Sequence, residues 1–160
     1  MITHGQRFDV FAPARICGVA LAACLLLAAC SRSGAADTAV AIAVDAVLSG
    51  DTLSIDGKAT VPDGAWIVYA AYRVETPQTR ETGYARVADG RFSATADVSG
   101  WPAGAIQVDA HFQTMLPAKR QPPAVIERYG ESGERMTGPS VVEGGESFRA
   151  AIASATVQKP

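Results

Sequence analysis

The 160-residue chain carries 14 basic and 16 acidic side chains, a formal net charge of minus 2 at pH 7. With both signs interspersed there is no basic field to hold nucleic acid and no polybasic patch for anionic lipid. The length is ordinarily that of one domain.

Residues 1–15 end in Arg15 and are followed by an apolar run at 16–29, 14 residues long, that closes on Leu27-Ala28-Ala29-Cys30 and polar Ser31-Arg32-Ser33-Gly34. A spanning helix needs roughly 20 apolar residues, whereas a secretory signal needs about 7–15. The motif resembles a bacterial lipoprotein signal, in which a cysteine preceded by small residues receives a diacylglycerol through its sulfur. Only a thiol gives that thioether, and the small Ala28 and Ala29 let a membrane peptidase reach the bond before Cys30. Leu21-Ala22-Ala23-Cys24 is a second match, but cutting there would leave an apolar stub from Leu25 to Ala29.

The resemblance implies a signal peptide at 1–29, a lipidated Cys30 and a tether over 30–38. It also implies attachment to the membrane of the bacterial cell envelope through the acyl chains, with Ser31 pointing to the outer membrane facing the periplasm. Two or three chains hold such a protein essentially permanently, where one would not. Of the three cysteines and two histidines, only Cys30 and His111 would remain, the cysteine alkylated. No disulfide, cysteine zinc site or thiol nucleophile can be built from that inventory.

From residue 39 the pattern has period two. Val40, Ile42 and Val44 alternate with alanines, which fits a strand and leaves an alanine-rich helix open. Leu53, Ile55, Ala59 and Val61 then share one face and Ser54, Asp56, Lys58 and Thr60 the other, the mark of a half-buried strand. After the Pro62-Asp63-Gly64 turn, 65–74 is nearly all apolar and predicts a central strand covered on both faces, with Trp66 and Tyr72 in the core. A strand at 84–88, the turn pair Asp89-Gly90 and a strand at 92–98 predict a two-residue hairpin. Beyond the Ser99 to Gly104 turn, Ile106, Val108, Ala110 and Phe112 predict a strand with one wet face. A last strand is expected at 148–157, with Phe148, Ala150 and Ile152 inward.

Seven strand candidates with turns between them predict an all-β fold, an antiparallel Ig-like or prealbumin-like sandwich of about seven strands over 39–160. One long loop, 114–147, interrupts the pattern. It holds Val125, Ile126, Tyr129 and Met136 as docking material and a short helix predicted at 123–129, opened by Pro123 and stopped by Gly130.

The order Val61-Pro62-Asp63-Gly64, Asp89-Gly90-Arg91-Phe92-Ser93, Trp101-Pro102-Ala103-Gly104 and Gln121-Pro122-Pro123-Ala124-Val125, continuing to Gly130, Gly133, Glu134 and Thr137-Gly138-Pro139, resembles a group of small exported bacterial proteins with Ig-like or prealbumin-like β domains. The resemblance covers residues 50–140. It implies the fold and supplies no catalytic residue.

Candidate chemistry is sparse. Asp109 and His111 leave one face of a strand and could be joined there by Thr95 and Asp97 if the strands around the Trp101-Pro102 turn pair. No third metal ligand is evident, and no nucleophile motif such as G-x-S-x-G accompanies His111. The loop is acidic through Glu127, Glu131, Glu134, Glu143 and Glu146, with no EF-hand spacing. These features predict no enzyme, cofactor or metal site. They predict a non-catalytic binding or structural accessory with an envelope protein partner, contacted through Lys119, Arg120, Tyr129 and Arg135, with Trp101 as an exposed aromatic. Sheet edges are a second contact mode. The alternatives are an inhibitor of secreted proteases that presents 117–123 as a substrate-like loop, and a hydrolase using His111.

Overall fold

The computed structural model describes residues 38–144 and 148–160. The expected signal peptide 1–29, Cys30 and all of the tether 30–38 except Thr38 lie outside the described residues. Eight strands and one short helix follow in order: β1 (Ile42–Ser49), β2 (Thr52–Ala59), β3 (Trp66–Arg73), β4 (Arg80–Arg86), β5 (Arg91–Asp97), β6 (Gly104–Gln113), α1 (Pro123–Tyr129), β7 (Val141–Gly144) and β8 (Phe148–Lys159). They form two antiparallel sheets, β1-β2-β5 and β4-β3-β6-β8-β7. With β1, β2 and β5 as strands A, B and E, and β3, β6 and β8 as C, F and G, this is the strand order of an immunoglobulin-type sandwich. β4 takes the added place beside C, and β7 is an extra strand beside G.

The period-two reading fixes most inward faces. Val40, Ile42, Val44, Leu53, Ile55, Phe92, Ala96, Ile106, Val108 and Phe112 are all buried. The 39–44 segment resolves as extended chain leading into β1, and α1 occupies the predicted 123–129 with Gly130 at its end. Between the sheets, large and small side chains alternate across the β6 and β8 pair. Ile106 faces Val157, Val108 faces Ala155, and Phe112 faces Ala151. In the smaller sheet the Phe92 ring lies across its register partner Gly57, where any side chain would collide with it.

Four expectations change. Asp89-Gly90 does close a tight turn, with φ of 51° and 68° and paired hydrogen bonds between Ala88 and Arg91. Beyond that single bridge, however, β4 joins β3 and β5 joins β2, so the turn carries the chain from one sheet to the other. Likewise the 99–104 turn crosses back, which leaves Thr95 and Asp97 of β5 on a different sheet from Asp109 and His111. Strand β3 is buried on one face only: Ile67, Tyr69 and Ala71 are inside, while Trp66, Val68 and Tyr72 are half-buried on the outer face. Its outer side is covered by neighbouring side chains and not by a second layer, which periodicity cannot distinguish. In β8 Ala151, Ala153, Ala155 and Val157 pack against the core; of the expected inward set, Ala150 is buried, Ile152 is half-buried and Phe148 is exposed. The bulk of Phe148 and Ile152 suggested the core, but the space opposite β6 is filled by alanine.

One charged side chain closes the far end. Arg73 is 6% exposed and donates to the Pro102 and Ala103 carbonyls at 2.7 and 2.6 Å, pinning the crossover turn. Its ion pair with Glu75 at 2.7 Å contributes less, because Glu75 is 53% exposed. Arg73→Met should therefore lower stability by about 2–3 kcal/mol, read as a drop in the urea midpoint, while Glu75→Gln should leave that midpoint almost unchanged.

Candidate functional site

The uncovered outer face of the larger sheet and the 114–140 segment beside it bring the polar and aromatic residues together. Register sets the rows. Tyr84, Val68, His111 and Ile152 lie level on β4, β3, β6 and β8, and the next row is Thr82, Ala70, Asp109 and Ser154. Tyr72 on β3 is level with Gln107 on β6, one row further on.

Asp109 is the electrostatic centre of this face. Its carboxylate accepts from Ser154 Oγ at 2.6 Å, Gln107 Nε2 at 2.9 Å and the Tyr72 hydroxyl at 3.0 Å. Burial alone would push its pKa up, yet these three donors, with a smaller contribution from His111, hold it below the ordinary carboxylate value. The Tyr72 phenol is pushed up in turn, first by burial and then by its bond to Asp109. Asp109 therefore directs its oxygens to Tyr72, Gln107 and Ser154, and the side chains level with His111 are Val68 and Ile152. The expected pairing of His111 with Thr95 and Asp97 is not made. Among the described residues no three His, Cys, Asp or Glu side chains cluster as a metal would require.

At the other end of the face, Trp66 of β3 carries two cations. The Lys119 ammonium sits 4.7 Å from the Trp66 ring centre and 5.8 Å from that of Tyr84, and the Arg86 guanidinium is 5.5 Å from Trp66. Each such contact at an exposed site is worth about 0.5–1 kcal/mol. Lys119 is thus held, but weakly enough to yield to a ligand.

What places Lys119 there is Gln121, two residues on and 2% exposed. The β3 and β6 ladder ends at Val68 and His111. Beyond it the Gln121 amide acts as a substitute peptide group: its Oε1 accepts from Trp66 N at 2.9 Å, and its Nε2 donates to Trp66 O at 2.9 Å and Gln113 O at 2.8 Å. After this pin the chain forms α1, whose Val125 and Tyr129 are fully buried. Thr114 Oγ1 donates to Glu131 O, and Arg149 donates to the Met136 carbonyl, so the segment is fastened on both sides.

The expected contact residues separate into distinct roles. Lys119 and Arg120 are exposed on the segment, with Lys119 turned onto the Trp66 ring. Arg135 is exposed, and its guanidinium donates to Ile126 O near the end of α1. Tyr129 is a correction: it is 0% exposed and meets Phe112 edge-on at 5.3 Å, because the helix turns its apolar side to the core. Trp101 is half-buried against the core and covers the crossover turn at the opposite end. Gln121, Tyr84 and Ser154 are the members of this face that sequence reasoning missed. Only Gln121 had a signal, a residue held extended by the following Pro122 with both a donor and an acceptor to offer.

Gln121→Ala would leave two carbonyls and one N–H unpaired. It should lower stability by about 2–3 kcal/mol and raise hydrogen exchange and tryptic cleavage after Lys119 and Arg120. Asp109→Asn should cost about 1 kcal/mol near neutrality, since the site is partly solvated. A carboxylate with a lowered pKa stabilises above its unfolded value and loses that contribution as pH falls through the folded one. The gap between wild type and Asp109→Asn should thus be full above the ordinary value of 3.8 and close below it, as read by urea titration across pH. In comparison with known proteins, no protein-family model matches the chain and no curated protein matches it.

Proposed function

We propose that this chain is a lipid-anchored binding module of the bacterial cell envelope, held through Cys30, that offers the outer face of its larger sheet to an envelope protein. The anchor reading is supported by the Leu27-Ala28-Ala29-Cys30 motif behind a 14-residue apolar run. The resemblance to small exported bacterial proteins of Ig-like or prealbumin-like fold agrees with it, and Ser31 favours the outer membrane facing the periplasm.

The observation that carries the binding reading is the pair of half-buried rings Trp66 and Tyr84, with Lys119 over both and Arg86 over Trp66, beside a segment that Gln121 pins. Aromatic and arginine side chains on a rigid support lose little entropy when a partner covers them. Such groups dominate binding energy at protein interfaces. Protease inhibition through 117–123 would require Lys119 to project into an enzyme pocket, and here it lies on Trp66.

Two experiments in intact bacteria test the two halves. An alkyne fatty acid should label the wild-type chain and not Cys30→Ala. A photo-crosslinking residue at Tyr84 or Arg120 should give one discrete protein adduct, and the same residue at Thr95, exposed on the smaller sheet, should give none. Equal adducts at all three positions, or none, would overturn the binding face.

A further inference from the structure

The described residues expose five large apolar side chains: Val47, Val74, Met115, Val142 and Phe148. Three of them are neighbours. Gln113 of β6 is level with Ala150 of β8, and Ala150 with Val142 of β7. Phe148 starts β8 on the same outer face, with its ring against Gly144. Met115, Leu116 and Pro117 leave the end of β6 beside it, and together with Phe148 and Gln113 they line a shallow apolar hollow of about 290 Å³. Met115 is 58% exposed, Val142 44% and Phe148 39%. This corner lies on the β7 side, away from the Trp66 and Tyr84 end at β3 and β4.

The position of the chain's N-terminal side decides what covers the patch. Thr38 O accepts from Thr137 N, Met136 O accepts from Arg149, and Arg149 adjoins Phe148. The chain thus joins the sandwich at the same end as the patch, a few hydrogen-bonded steps away. From Cys30 to Thr38 is eight residues, which extend to about 27 Å at most. Strand β8 alone, 12 residues, is about 40 Å long. A tether shorter than the domain cannot bring the opposite end, with Trp101 and Lys159, down to an anchored membrane while the Thr38 end stands away from it.

We infer that the corner formed by Met115, Leu116, Pro117, Val142 and Phe148 rests in the interface of the bilayer that holds the anchor. The inference builds on the lipid anchor at Cys30 proposed above. Apolar side chains at the end of a tethered domain enter the boundary between headgroups and acyl chains without crossing it. With the β7 corner down, Trp66 and Tyr84 stay out of the lipid.

The test places a benzophenone amino acid at Met115, at Phe148 or at Gly100, an open position in the opposite turn, in the full chain in intact bacteria. Fatty-acid labelling of the same cells reports acylation of Cys30. With acylation present, adducts to phospholipid acyl chains at 115 and 148 and none at 100 are the expected result. Introducing Phe148→Glu should abolish the lipid adduct at 115 with acylation unchanged. Acylation with no lipid adduct at 115 and 148, with equal lipid adducts at 100, or with a protein adduct in their place would overturn the inference. If Cys30 is not acylated, the anchor reading fails by itself. The corner is then decided in vitro: the full chain with Cys17→Ser and Cys24→Ser is coupled through Cys30 to maleimide-lipid vesicles of phosphatidylethanolamine and phosphatidylglycerol. Lipid adducts at 115 but not 100 would still support it, and their absence would overturn it.

Discussion

Where two paired strands separate inside a protein, the backbone groups they release must find other partners or carry a large desolvation penalty. That constraint arises here where β3 and β6 part above Val68 and His111, and the Gln121 amide meets it. Because the amide offers an acceptor on one side and two donors on the other, it completes both strands at once. A long connection that would otherwise hang from the sandwich becomes part of its upper wall. It sets the position of Lys119 on Trp66 and starts the segment that continues into α1 against Phe112 and Met136 in the core, which Thr114 and Arg149 fasten further along.

Most strand positions and inward faces were legible in the sequence, since period two survives wherever one face is wet; β7 was not, and lies inside the stretch 114–147 expected to be a loop. Helix α1 was equally plain from Pro123 and Gly130. The failures share a cause. Period two reports that two faces differ without saying which is inside when the inward residues are small, so Ala151, Ala153 and Ala155 of β8 were read as outward and Phe148 as core. It also cannot say which strands pair. The Asp89-Gly90 turn has the chemistry of a hairpin, and only the competition between β2 and β4 for β5 decides that its strands part. For the outer face, the residues were visible singly, but the meeting of Tyr72, Asp109 and Ser154 needs a register across three strands that no local pattern contains.

The two regions of the outer face differ in kind. Around Asp109 the donors are saturated: three hydrogen bonds hold one carboxylate and stiffen the middle of the sheet. Around Trp66 the contacts are soft, with two flexible cations over a half-buried ring. A rigid centre beside a yielding margin lets side chains rearrange over a backbone that does not.

The three connections that carry the chain between sheets, β2 to β3, β4 to β5 and β5 to β6, have a bearing on time. Since β4 and β5 are consecutive yet belong to opposite sheets, and β5 and β6 likewise, neither sheet can be completed from a continuous stretch of chain. No early fragment has a finished face to bury, and the partners that close each sheet are far apart in sequence. Topologies of this kind fold in milliseconds to seconds. Under the lipid-anchor reading proposed above, that delay would be useful: the polypeptide would stay loose during passage through a membrane, and the sandwich would close once both halves had emerged.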